Sequence, residues 1–269
     1  MCVMTKSKSY KQKKSGKQQK AKAAVDQQTK NAANGMRLNK YIANSGKCSR
    51  RDADIFIASG NVKVNGKVIT EMGYRVQLDD EVIFDGQRID PAPKEYVIMN
   101  KPKGFLVTGN PNKSGRTVMD ILTQYTKTKL APVGKLDNSA TGLILFTNDG
   151  TLSKKLASSK SSLKQLFDVN LNKPMSLEDL RTLQKEKIFI GGKPVIINDA
   201  DYVKNKPKRN IGIEITSTED HIIPKIMTKL GYEVEKLDRV KYGEITKKDL
   251  PRGMCRHLSK QEVINLGLL

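Results

Sequence analysis

At 269 residues, with 49 Lys and Arg against 28 Asp and Glu, the chain carries a net charge of +21. That length accommodates about two domains, and that charge points to a polyanionic partner. No apolar run approaches the roughly 20 residues of a membrane span, and the N-terminal residues lack the apolar stretch of a secretory signal, so a cytoplasmic chain is expected. Three scattered cysteines, Cys2, Cys48 and Cys255, and two histidines, His221 and His257, form neither a ligand cluster nor a disulfide framework. No glycine-rich nucleotide loop is present. No metal and no cofactor are expected, which leaves the chemistry to carboxylates, lysines, arginines and hydroxyls.

Residues 1–35 hold nine lysines and one acid, Asp26, for a net charge of +8. With little beyond Tyr10 and Val25 to bury, this segment is expected to be a disordered basic tail that adds salt-sensitive phosphate contacts. A small domain is expected over 36–94. Leu38, Tyr41 and Ile42 have helical spacing, and Ser49 with Asp52 forms a capping box for a second helix that Gly60 stops. Val62 and Val64 lead through an Asn65-Gly66 turn to Val68, and Val76 and Leu78 are expected to pair through Asp79-Asp80 with Val82, Ile83 and Phe84.

From 95 to 269 the elements lengthen. Strands are expected at 96–99, 105–108, 166–171, 211–215 and 234–240, and helices around 118–125, 152–156, 177–187 and 222–230. Strands and helices mix without regular alternation, so the class is α+β with a mostly antiparallel sheet. Between 131 and 150 runs Ala-Pro-Val-Gly-Lys-Leu-Asp-Asn-Ser-Ala-Thr-Gly-Leu-Ile-Leu-Phe-Thr-Asn-Asp-Gly. Asp137 there stands alone in a polar loop, with the apolar strand 143–146 behind it. A loop anchored at both ends holds one carboxylate rigidly, as a nucleophile or general base requires.

This segment resembles the catalytic motif of the pseudouridine synthases of the ribosomal small- and large-subunit type, in which Gly-Arg-Leu-Asp precedes Thr-x-Gly-Leu and Thr-Asn-Asp-Gly. Asn100-Lys101-Pro102-Lys103-Gly104 and Leu237-Asp238-Arg239-Val240, with Gly253, Arg256 and Leu258, match further family signatures. Residues 37–66 resemble the alpha-L RNA-binding domain first described in small-subunit ribosomal protein four. That likeness implies an RNA-binding face built from Arg37, Lys40, Lys47, Arg50 and Arg51. The resemblance therefore implies a small alpha-L domain followed by a pseudouridine synthase domain, acting as a monomer on ribosomal RNA, with the large subunit as the expected substrate.

The resemblance implies Asp137 as the catalytic carboxylate. Lys135 stands where the family has Arg and would make the phosphate or loop-anchoring contact, without Arg's bidentate fork. Phe167 stands where the family's Tyr packs on the target base, so it can stack but has no hydroxyl. The family's Gly-Arg-Asn-Arg-x-Val-Arg-Arg-Met is here Thr218-Glu219-Asp220-His221-Ile222-Ile223-Pro224-Lys225-Ile226. Pro224 replaces the first of the paired arginines, and Lys225 is the remaining cation expected to face Asp137. These departures keep a second reading open: a catalytically weak or inactive homologue that binds RNA in ribosome assembly.

Overall fold

The computed structural model describes residues 35–107, 115–158 and 161–268. The basic tail, apart from Gly35, lies outside the described residues. The chain divides into two compact units, Met1–Pro93 and Lys94–Leu269.

In the first unit two helices, Leu38–Asn44 and Arg50–Ala58, pack on a small sheet. The capping box forms: Ser49 Oγ accepts from the Asp52 N–H, and the Asp52 carboxylate accepts from the Ser49 N–H, both at 3.2 Å. Leu38, Ile42, Ala53 and Ile57 close onto Val62, Val64 and Val82 in one core. The four-stranded antiparallel sheet has the order Lys67–Val68, Val62–Val64, Val82–Phe84, Gln87–Ile89. Its two hairpins turn on Asn65-Gly66 and Asp85-Gly86, all four residues having positive φ, the backbone that a tight right-twisted hairpin demands.

One expected hairpin does not form. Arg75–Val76 pairs with Met36–Arg37, not with Val82–Phe84. The Asp80 carboxylate accepts from the Gln77 N–H at 2.7 Å, which closes a local turn and leaves Leu78 fully exposed. A side chain that satisfies the backbone locally competes with the ladder.

The second unit is built on a ten-stranded sheet. Lys164–Leu171 lies at its centre between Asn210–Thr216 and Val234–Tyr242, and Thr141–Thr147 and Tyr96–Lys101 run antiparallel side by side toward one edge. Every pairing between its described strands is antiparallel except one, where Asp238 and Arg239 lie parallel to Thr141 and Gly142. Gly142 is required at this junction. Its φ is +107°, and a Cβ there would sit 2.3 Å from the Arg239 carbonyl oxygen. The apolar run after the Asp137 loop becomes the buried strand expected, with Leu143 to Phe146 fully enclosed.

The strand expected at 105–108 is absent over its described part. Leu106 makes only an isolated bridge to Thr117, and Thr108 lies outside the described residues. Pro102 offers no N–H to a ladder, and the Gly104 N–H is taken by the Asn138 carbonyl at 2.9 Å. Unforeseen elements include the Ile188–Ile190/Lys193–Tyr202 hairpin, the strand Cys255–His257 and the C-terminal helix Lys260–Leu268.

Candidate active site

The Asp137 loop sits where the parallel junction opens the sheet, and two buried cations stand behind it. Lys101 is fully enclosed. Its Nζ donates to the carbonyl oxygens of Asp137 at 2.9 Å and Ala140 at 2.8 Å, with longer contacts to Pro102 and Asn138. Burial pushes the Lys101 ammonium down to about 8; the Asp137 carboxylate works against that shift and Arg239 adds to it. The Asn-Lys-Pro segment is therefore a clamp on the Asp137 loop as well as a turn. The sequence showed the motif but not where its lysine would point.

Arg239 is the second cation. Its Nε donates to the Leu143 carbonyl at 2.6 Å and its Nη1 to Gln165 Oε1 at 2.8 Å, while its guanidinium lies 4.9 Å over the Tyr242 ring. Burial lowers it to about 10. Nη2 has no partner.

A cleft in front of these groups is lined by Leu136, Asp137, Gln165, Phe167, His221, Arg239 and Tyr242, among others. Phe167 is buried, directly opposite Arg239 and Ile213 in the two ladders. Its ring lines the cleft and also packs into the main core. The phenol among the described lining residues belongs to Tyr242.

The side chain facing Asp137 is not the one expected. His221 Nδ1 lies 2.8 Å from Asp137 Oδ2. Lys225 Nζ instead donates to the Asp220 backbone carbonyl at 3.1 Å, and the structure does not bring it to Asp137. The helix runs Ile222–Lys229, with His221 at its N-cap in the left-handed region, φ +57°. Pro224 falls in its first turn, a position that tolerates proline because those N–H groups have no helical partner. The helix therefore survives unkinked, and the carboxylate's neighbour is the residue that precedes it. Lys135, 59% exposed, pairs with Asp220 at 2.7 Å, and that hydrogen-bonded partner raises its pKa.

On the first unit, Arg37, Lys47, Arg50 and Arg51 are exposed and Lys40 is half-buried. Arg50 Nη2 donates to Asn39 Oδ1 at 3.3 Å and Lys47 Nζ to Gln87 Oε1 at 3.0 Å. None of the five forms an ion pair among the described residues, so their charge is available to an anion.

A family model described as RNA pseudouridylate synthase matches residues 95–222, and an S4 domain model matches 36–82. The chain is 31% identical over 235 residues to the ribosomal large subunit pseudouridine synthase B of Bacillus subtilis (strain 168), covering 87% of this chain and 96% of that one. It is 32% identical over 236 residues to the dual-specificity RNA pseudouridine synthase RluF of Escherichia coli (strain K12), covering 86% and 78%. A crystal structure of a pseudouridylate synthase superposes with a TM-score of 0.57 at 26% identity, over 86% of this chain and 99% of that one. The chain belongs to the RNA pseudouridine synthases, isomerases that act on RNA, and carries an S4 domain ahead of the catalytic fold.

Proposed function

We propose that this chain, a cytosolic monomer, isomerises a uridine of large-subunit ribosomal RNA with Asp137 as nucleophile or base. The observation that carries the reading is the Asp137 loop itself. One carboxylate faces a cleft, its own carbonyl is gripped by Lys101, and His221 lies against its Oδ2. The reaction breaks the N1–C1′ bond, turns the uracil and joins C5 to C1′, and the C5 hydrogen leaves as a proton. The base must leave its stack to enter such a cleft. Phe167 offers a face for stacking. Preorganised cations beside the reacting carboxylate supply electrostatic stabilisation that water would need reorganisation to match. Large-subunit RNA is favoured by likeness to the relative whose name states that substrate. Tritium release from 5-labelled uridine in ribosomal RNA tests the reading: release with large-subunit RNA supports it, and none with any ribosomal RNA overturns it.

His221 is proposed as the partner of the Asp137 carboxylate in place of Lys225. A hydrogen bond to a charged group contributes roughly 1.5–3 kcal/mol, discounted here because the imidazole is 61% exposed. His221→Ala should therefore slow turnover roughly tenfold, while Lys225→Ala leaves it within about twofold. Single-turnover rates on one RNA decide this; the reverse order would return the role to Lys225.

The second reading, an RNA-binding assembly protein with weak or no turnover, is favoured by Phe167, which brings no hydroxyl to the cleft, and by Pro224. It forecasts no tritium release from wild type and altered ribosome assembly on depletion. Both readings use the S4 face. Arg50→Glu with Arg51→Glu should weaken RNA binding on the order of 10²-fold at low salt, more than removal of residues 1–35, because folded cations position RNA as well as attract it. Filter binding at several salt concentrations measures both, and an equal or smaller loss in the double variant would remove the face from the account.

A further inference from the structure

Three connections of the second unit meet at the end of the sheet where Lys164–Leu171 finishes. The Leu171 N–H donates to the Arg209 carbonyl at 2.9 Å, Met175 N–H to Lys208 at 3.2 Å, and Asn172 N–H to Glu233 at 3.0 Å. Asn170 is in register with Asn210 on one side and Lys236 on the other. The meeting gathers Lys173, Lys204, Lys206, Lys208, Arg209 and Lys236, all exposed. Lys206 pairs with Asp168 at 2.8 Å and Arg209 with Glu235 at 3.6 Å; Glu233 is a further nearby acid, and so is Asp179, which accepts from Tyr232 Oη and feels the Lys173 charge. Lys173, Lys204, Lys208 and Lys236 pair with no carboxylate among the described residues.

Two of these free ammonium groups are staged on aromatic rings. Lys173 Nζ lies 4.9 Å from the Tyr232 ring centre and Lys208 Nζ 5.7 Å from that of Tyr202. The rings are fixed in turn: Tyr202 Oη donates to the Met175 carbonyl at 2.9 Å, and Tyr232 Oη accepts from the Ser176 N–H at 3.1 Å. A lysine resting on a ring keeps its charge while losing rotamer freedom, so less ordering entropy remains to be lost on binding an anion.

We infer that this sheet end is a second RNA-contact surface, one that takes the phosphates flanking the target nucleotide. The inference rests on the reading of the chain as an RNA-acting protein. Lys236 precedes the cleft residue Arg239 by three strand positions, about 10 Å along the strand, with its side chain on the opposite face of the sheet. Glu233, Val234 and Glu235 border a groove that also touches Asp137 and His221. With one phosphate per roughly 3.4 Å of axis on each strand of a duplex, the surface lies within about three nucleotides of a base in the cleft. Free cations so spaced suit a regularly charged backbone, whose phosphates the lysines meet as point charges.

The test uses the full chain and a stem-loop RNA with a uridine in its loop. Lys173→Gln, Lys204→Gln, Lys208→Gln and Lys236→Gln together should lower the slope of log affinity against log salt by about 3 and weaken low-salt binding on the order of 10²-fold. Neutralising Lys127, Lys129, Lys185 and Lys187 instead should change the slope by less than about 1. An unchanged slope in the first variant, or an equal loss in the second, overturns the inference. If the first variant melts early, Lys204→Glu and Lys208→Glu made singly must each lose about one unit of slope. Variants that keep RNA affinity but lose binding to polyglutamate would assign the surface to an acidic protein and overturn it likewise. Binding is read without turnover, so a wild-type protein that shows the slope change yet releases no tritium refutes the catalytic proposal alone.

Discussion

Asp137→Asn should abolish isomerisation, with a fall in kcat on the order of 10⁴-fold, while RNA affinity changes by less than about twofold. The substitution is nearly isosteric. It leaves the Asp137 carbonyl on Lys101 and the turn in which the Ala140 N–H donates to residue 137 at 3.1 Å, so the loop keeps its shape. Only the carboxylate's charge and nucleophilicity are lost. Tritium release and filter binding on the same preparation separate the two effects. Activity within tenfold of wild type would remove Asp137 from the chemistry.

Lys101→Met should have the next largest effect, and on stability as well as rate. Removing the ammonium leaves the Ala140 carbonyl buried without its donor, at roughly 1–3 kcal/mol, and the Asp137 carbonyl with the Ala140 N–H alone, so a loss of about 2 kcal/mol is expected in denaturant unfolding. A loop displaced by about an ångström can lower kcat on the order of 10²-fold. The wild-type protein offers a pH test of the same clamp. Because the Lys101 ammonium is held down to about 8, activity should fall as pH rises through that value and the charged donor is lost. Stability from this group moves the other way. Between about 8 and its unfolded value near 10.4, the unfolded chain binds more protons than the native one, so this contribution to unfolding free energy rises with pH. Activity falling above pH 8 without a matching fall in melting temperature supports the clamp; a parallel fall in both would mean that the protein simply unfolds.

Much of the fold was legible because local rules and burial agreed. Ser49 with Asp52, Asn65-Gly66 and the apolar run 143–146 each have a short-range cause, and each forms the element expected. The failures lie where pairing is decided at long range. Arg75–Val76 chose Met36–Arg37 as its partner because Asp80 closed a local turn, and no spacing rule announces that. The strand Lys193–Tyr202 has only Ala200 deeply buried, so it lacked the alternation that marks a strand. The one parallel pairing, which opens the sheet at Asp137, joins segments nearly a hundred residues apart.

The candidate site divides in the same way. Asp137 was visible because its loop chemistry is contiguous in sequence. His221 was not, although it is one of only two histidines in the chain, because the left-handed N-cap that turns it toward the carboxylate has no short-range signal in Thr218-Glu219-Asp220. A residue that must take positive φ to end a turn and start a helix is aimed by the backbone. Lys101 and Arg239 were visible only as motif letters. Their burial against loop carbonyls emerges when strands distant in sequence lie side by side.

Conversion of a ribosomal uridine by the Asp137 loop is open to a test in the cell. Pseudouridine is mapped at nucleotide resolution in ribosomal RNA from cells carrying the wild-type gene, the Asp137→Asn allele or neither. The account predicts one large-subunit position that is modified in the first and unmodified in both others. A map identical in all three would contradict it.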